Sequence, residues 1–318
     1  MKPNKLRLNS IAAIGALVAA ICLGAANARA QELFTSPEEA VDKLVAVIRA
    51  DDARRIISVL GGNARSRQIV ESGDPVADAN ARNAFIKAYD ARNRLVGEHS
   101  NKRILLIGDQ DWPFPVPIVK YRTLWRFDPV AGREEILFRR IGRNELNTIQ
   151  VCLAYVDAQN EYVSTNPEKA SVPAYAQRFM SRPGKKDGLY WPDDAQGSKS
   201  PLGEAVAAAT REGYRFGDSP IPYHGYYYKI LTSQSAAAPG GAINYVVKDR
   251  MVGGFALIAY PAEYGNSGVM TFIVNHAGVI YQKDLGLRTQ RLARRINVFS
   301  PDGTWKKVPE TDLAQAKN

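Results

Sequence analysis

The sequence predicts an α+β protein: N-terminal helices lead into an antiparallel meander, and a further helix then packs on a second antiparallel sheet. Three observations predict it. Apolar residues recur every three or four positions through most of residues 37–95, the pattern turns extended near Arg103, and a second succession of helix and then strands begins at Gly142.

In the first part, Thr35 or Ser36 is placed to cap a helix, Pro37 suits its first position, and Glu38 and Glu39 favour the positive end of its dipole. Ala40, Val41, Leu44, Val45 and Ile48 form its apolar face. Asp51-Asp52 opens a second helix through Ile56, Ile57 and Leu60, which Gly61-Gly62 ends, and a third helical stretch spans about residues 75–95. Residues 103–107 read as a short strand, and residues 112–117 as a loop too rich in proline for a central strand. Residues 118–127 alternate as a strand, turn at Asp128-Pro129 to Gly132, and are expected to return through residues 135–141 as a hairpin.

In the second part, Asn144 is placed to cap a helix with Leu146, Ile149, Leu153 and Val156 on one face and Tyr155, Gln159 and Tyr162 on the next; Asn166-Pro167 closes it. A loop-rich region follows. Ser200-Pro-Leu-Gly-Glu204 then reads as a helix start with a capping-box-like Ser and Glu, and Gly213 as its stop. Strands are expected at residues 226–231, 254–260, 269–275 and 279–283, and the almost wholly apolar 254–260 is expected to be central. Residues 296–299 are expected to add a strand from a basic tail. The predicted organisation is a leader over 1–30, one α+β part over 31–141, a second over 142–287 and a basic extension over 288–318.

The leader has a positive start at Lys2, Lys5 and Arg7, an apolar run over residues 11–26 and the small-x-small Ala28-Arg29-Ala30, so cleavage is expected after Ala30. The apolar run is shorter than the roughly 20 residues of a spanning helix, and Ile21 before Cys22 does not suit lipid attachment. A periplasmic or secreted protein, not spanning the membrane after cleavage, is expected. Removing Lys2, Lys5, Arg7 and Arg29 lowers the formal charge from +10 to +6. Cys152 is then alone, which excludes an internal disulfide or a cysteine-ligated metal cluster. The modest charge, with one denser stretch at Arg288, Arg291, Arg294 and Arg295, does not point to nucleic acid.

Helices followed by a meander resemble the nuclear transport factor 2-like superfamily. From Gly142 onward, the helix with Ala158-Gln-Asn-Glu-Tyr162, then Gly213-Tyr-Arg-Phe216, Phe255-Ala-Leu-Ile-Ala-Tyr-Pro261, Phe272-Ile-Val274 and Gly278-Val-Ile280 are similar to the periplasmic module of type IV pilins and type II secretion pseudopilins. Asn144, Glu145, Asn147, Gln150 and Asp157 depart from the apolar helix that packs a pilus core. Nearly the whole of the chain after the leader resembles the bacterial exported family of domain of unknown function 2950, through Asp187-Gly-Leu-Tyr-Trp-Pro192, Pro222-Tyr-His-Gly-Tyr-Tyr227 and the sixteen residues from Gly253 to Gly268. That resemblance implies export and no particular activity.

The chain lacks His-Glu-x-x-His, Gly-x-Ser-x-Gly, P-loop and dinucleotide motifs. Gly217-Asp218-Ser219-Pro220 lacks the strand-to-helix elbow of a serine nucleophile. The acid–base candidates are His224, set among tyrosines, and Glu263; the competing reading of His224 is a hydrogen-bonded turn histidine. Trp191, Tyr226 and Tyr264 are candidates to line a ligand pocket with Glu263. Asp187, Asp193 and Asp194, with Glu168 and Asn166 near in sequence, are the hard oxygen donors that a Ca²⁺ site would need, although Lys185-Lys186 opposes a cation. No cofactor is expected. The sequence reads as a non-catalytic binding or assembly module of the cell envelope with a protein or polymer partner; the alternative is a hydrolase or lyase on a glycan or small polar substrate, using His224 and a carboxylate.

Overall fold

The computed structural model describes residues 31–193, 199–216 and 220–316, apart from the side chains of Glu98 and His99. The expected leader, Asp194 and Gly217-Asp218-Ser219 lie outside the described residues. The α+β class expected from the sequence is the class of the fold.

Helix α1 (Pro37–Arg49) starts where its cap was read: Ser36 Oγ accepts the Glu39 N–H at 3.1 Å, and the Glu39 carboxylate reaches back to the Thr35 N–H at 2.7 Å. Asp52, Asn63 and Asp74 cap α2 (Ala53–Val59), α3 (Ala64–Val70) and α4 (Pro75–Ala91) in the same way. An antiparallel sheet follows, made of β1 (Asn93–His99), β2 (Lys102–Ile107), β3 (Trp112–Pro113), β4 (Ile118–Tyr121) and β5 (Leu124–Phe127). Its order is β1-β2-β4-β5, with β3 on β2. Leu44, Leu60, Leu105, Ile118 and Phe127 close the core between this sheet and the helices.

Three expectations in this half are corrected. Helix α4 stops at Ala91, so Leu95 belongs to β1. The single strand expected over residues 118–127 is a hairpin whose turn holds Arg122 at φ +57°. The return strand expected over 135–141 is helical, because Asp128-Pro129 is a helix start: Asp128 Oδ1 accepts the N–H of Val130 at 3.0 Å and Pro129 occupies the first turn. An Arg139–Glu135 pair at 2.5 Å, one turn apart, fits the helix and not a strand.

The resulting α5 (Pro129–Thr165) has 37 residues, roughly 55 Å at 1.5 Å per residue, and runs unbroken past residues 141–142. It packs against α3 near its start and against the second sheet further on, so both parts of the chain share it. Asn166, at φ +45°, ends it. The next helix, α6 (Gly203–Arg211), has no side-chain cap; the Ser200 hydroxyl is buried without a partner, so the expected Ser200–Glu204 capping box does not form.

The second sheet contains β6 (Tyr226–Leu231), β11 (Ala256–Pro261), β12 (Met270–Asn275), β13 (Ile280–Asp284) and β14 (Lys306–Lys307); between β6 and β11 lie the two-residue β7 (Ser233–Gln234), β8 (Ile243–Asn244), β9 (Val246–Val247) and β10 (Arg250–Met251). The order is β14-β13-β12-β11-β6, antiparallel throughout. Every residue of β11 is buried between β12 and β6, as its apolar run required. The tail is built into this half: α7 (Thr289–Arg295) packs on β11 and α8 (Glu310–Ala316) on α5. In place of the strand expected at residues 296–299, Phe299 makes one bridge to Gln234.

The two halves are tied by polar side chains. The half-buried Arg140 donates to the carbonyls of Gln68 and Ile69, each at 2.7 Å, and to Asn266 Oδ1 at 2.6 Å. Burial lowers its pKa against the pull of Asp78 and Glu263. Glu145 Oε1 accepts the N–H groups of Val269 and Met270 at 2.9 Å each, and Asn144 donates to the Ser267 carbonyl at 2.8 Å.

Candidate functional site

His224 sits in a two-residue turn. Tyr223 and Tyr226 exchange backbone hydrogen bonds at 2.9 and 3.2 Å, with His224 at φ +51° and Gly225 at φ +77° between them. The turn lays the imidazole over the Tyr223 ring, 4.0 Å between centroids, and places Nε2 4.0 Å from Glu212 Oε2. The His224 N–H donates to the Tyr214 hydroxyl at 3.3 Å, which donates to Asp74 Oδ2 at 2.8 Å. Burial lowers the His224 pKa below its ordinary 6.5, while the charges of Glu212 and Asp74 oppose the shift. A neutral imidazole beside a carboxylate is therefore the ground state at neutral pH.

The carboxylates that act on His224 are Glu212 and Asp74; no hydrogen bond or ion pair joins it to Glu263 among the described residues. Glu263 instead accepts Asn266 Nδ2 at 2.7 Å and packs beside Gly73. The pocket candidates separate. Tyr226 is fully buried, its hydroxyl donating to the Met270 carbonyl at 3.0 Å, and Trp191 is buried against Tyr162 with ring centroids 6.4 Å apart. Tyr264 remains half-exposed, bonded to Asp284 at 3.1 Å, and shares a groove with Glu263.

Of the candidate calcium donors, Asp193 is exposed and Asp187 is held by Arg182, through its N–H at 2.9 Å and Nε at 2.5 Å. Partial burial raises the Asp187 pKa, but the two Arg182 contacts outweigh it and leave the carboxyl below its usual range. Asp187 and Glu168 both line a cavity of about 590 Å³, together with Arg178, Arg182, Asp249 and Arg250. Among the described residues, no three His, Cys, Asp or Glu side chains converge as a metal-binding group.

The groove beside α7 has about 820 Å³, walled by Glu263 and Tyr264 on one side and by Arg288, Arg291, Arg294 and Arg295 on the other. Its geometry follows from how α7 seats. Thr289 and Ala293, one turn apart, are buried toward the sheet, and Gln290 bonds to the Ala262 carbonyl. Lys229 Nζ satisfies the end of the helix through the Arg294 carbonyl at 2.9 Å and Asn297 Oδ1 at 3.1 Å. The arginines are left on the outer faces, all exposed, with no carboxylate partner among the described residues.

Sequence reading missed Glu212, Tyr214, Asp74 and Arg140 as parts of these sites. The helical stretch was read from about residue 75 without its cap Asp74, and nothing local signals that this carboxylate also binds Tyr214, 140 residues away. No curated protein and no solved structure matches the chain. The model of a family described as a protein of unknown function (DUF2950) matches residues 31–308, and the chain belongs to that family.

Proposed function

We propose that the protein is exported into the cell envelope and acts there as a non-catalytic module, binding a protein or polymer that presents negative charge. One observation carries this reading: four exposed arginines crowd one wall of a groove, none of them in an ion pair with a carboxylate among the described residues, and the single acidic side chain of that groove, Glu263, stands on the facing wall. Like charges three and four positions apart on a helix cost about 0.2–0.5 kcal/mol per pair. An anionic partner removes that repulsion and gains charge-assisted hydrogen bonds. Export rests on the leader features of residues 1–30. The likeness to pilin modules belongs to the same reading as a shared scaffold, not as assembly into a pilus, since Asn144 and Glu145 are spent on holding residues 267–270 within the chain.

Capture from a solubilised envelope fraction at low salt tests it. Charge reversal by Arg294→Glu with Arg295→Glu is expected to abolish partner capture while leaving thermal unfolding unchanged, and undiminished capture would reject the groove as the contact. N-terminal sequencing of the exported protein is expected to begin at Gln31.

The second reading, a hydrolase or lyase on a glycan or small polar substrate, draws on the neutral His224 beside Glu212. His224→Asn, which suits the positive φ, should then abolish turnover without loss of fold.

A further inference from the structure

We infer that the α7 groove docks on the surface of a phospholipid bilayer rich in anionic headgroups; this goes beyond the protein or polymer partner proposed above and shares with that reading only the exposed arginines. The observation beyond the arginines is apolar. Leu287, at the lip of the groove beside Arg288, is 91% exposed, the most exposed of the large hydrophobic side chains described. Leu292 and Val298 are each 38% exposed, and Leu292 stands within one helical turn of Arg288, Arg291 and Arg295. A soluble polyanion would satisfy the arginines and leave these side chains in water. A bilayer interface satisfies both, with guanidinium groups on lipid phosphates and leucine at the boundary of the acyl chains.

The fold supports this with a fixed surface. The inner face of α7, Thr289 and Ala293, is committed to the protein, and Lys229 anchors the helix end, so the outward side chains are presented without a folding step on binding. Arg288, Arg291 and Arg295 follow at three- and four-residue spacing with Leu292 among them, an arrangement that brings cations and an apolar side chain to one surface.

The test is co-sedimentation of the chain from Gln31 onward, which carries every described element, with vesicles of phosphatidylglycerol in phosphatidylcholine. Vesicles of phosphatidylcholine alone and immobilised polyphosphate serve as separate arms. The expected result is binding to phosphatidylglycerol vesicles at low salt and not to phosphatidylcholine. Arg288→Glu with Arg291→Glu should weaken it at least about tenfold, as roughly two headgroup contacts are lost. Leu287→Ser should weaken vesicle binding while leaving retention on polyphosphate intact. Retention on polyphosphate with no vesicle binding overturns the bilayer and leaves the anionic-partner reading standing. Vesicle binding indifferent to Leu287→Ser, or to the arginine reversals, also overturns the bilayer inference. Failure to bind either probe overturns both.

Discussion

The buried carboxylate of Asp74 accepts the Tyr214 hydroxyl at 2.8 Å, joining the start of α4 to a segment 140 residues away. The same Oδ2 accepts the Gly225 N–H at 2.9 Å, while Oδ1 caps α4 through Val76 and Ala77. Asp74→Ala removes a cap, worth about 1 kcal/mol, and strands two buried donors at about 1–3 kcal/mol each. Urea unfolding should therefore show a loss of about 3–7 kcal/mol. Asp74→Asn keeps the cap and should lose less, and Tyr214→Phe less still. An Asp74→Ala midpoint equal to that of the parent would mean that this tie does not hold the halves together.

What could be read in the sequence followed from locality. Ser36-Pro37 and Asp52 carry their helix starts within three residues, and the uninterrupted apolar run of β11 announces a central strand. The stretch Glu135 to Ile141 misled because Ile136, Leu137 and Phe138 are consecutive, so neither period is visible. Leu137 is buried and Phe138 is 81% exposed, a distinction that only the helix axis makes. Asp128-Pro129 likewise serves equally well as a turn or as a cap. At the site, the arginine cluster was visible as spacing and Glu263 and Tyr264 as pocket candidates, but not that the two face each other, because the loop after the inner strand β11 brings Glu263 and Tyr264 opposite α7. Trp191 and Tyr226 show the converse: aromatic residues flagged as pocket lining are core.

His224 makes stability depend on pH. Burial depresses its folded pKa below the ordinary 6.5, with Glu212 and Asp74 opposing, so the unfolded chain takes up the proton first. The stabilisation is fully present above 6.5 and is lost as pH falls from there through the folded pKa. His224→Asn keeps the positive-φ turn and removes the titrating ring. Its unfolding midpoint should fall less steeply than the parent's across that window, and parallel slopes would rule out His224 as the cause.

Cys152 should be silent toward thiol reagents in the folded protein. It is fully buried in the second core, and burial pushes its thiol up to about 12, so almost no thiolate forms at neutral pH. Peptide mapping after iodoacetamide treatment should find Cys152 unmodified under native conditions and fully alkylated in urea. Native alkylation at a rate near that of a free thiol would contradict the packing of α5 on the sheet.

Gly268 closes the family stretch that begins at Gly253, and the structure explains why a side chain does not fit there. A Cβ at this position would meet the Tyr226 hydroxyl and lie 2.5 Å from its Cζ. Tyr226 cannot retreat, since its ring is fully buried in the sheet core beside Phe272, 6.0 Å between centroids, and its hydroxyl is bonded to the Met270 carbonyl. Relief would require moving either β6 or residues 267–270, which Glu145 and Asn144 hold by three hydrogen bonds. Gly268→Ala should therefore cost about 1–3 kcal/mol, the usual range for overpacking, and lower the thermal midpoint by several degrees. Gly303, where an added Cβ meets nothing within 4 Å, is the control: Gly303→Ala should stay within about 0.5 kcal/mol of the parent. Faster amide exchange at Val269 and Met270 in Gly268→Ala would locate the strain where the contacts put it, whereas a neutral Gly268→Ala would mean that Tyr226 has room to move that this packing denies it.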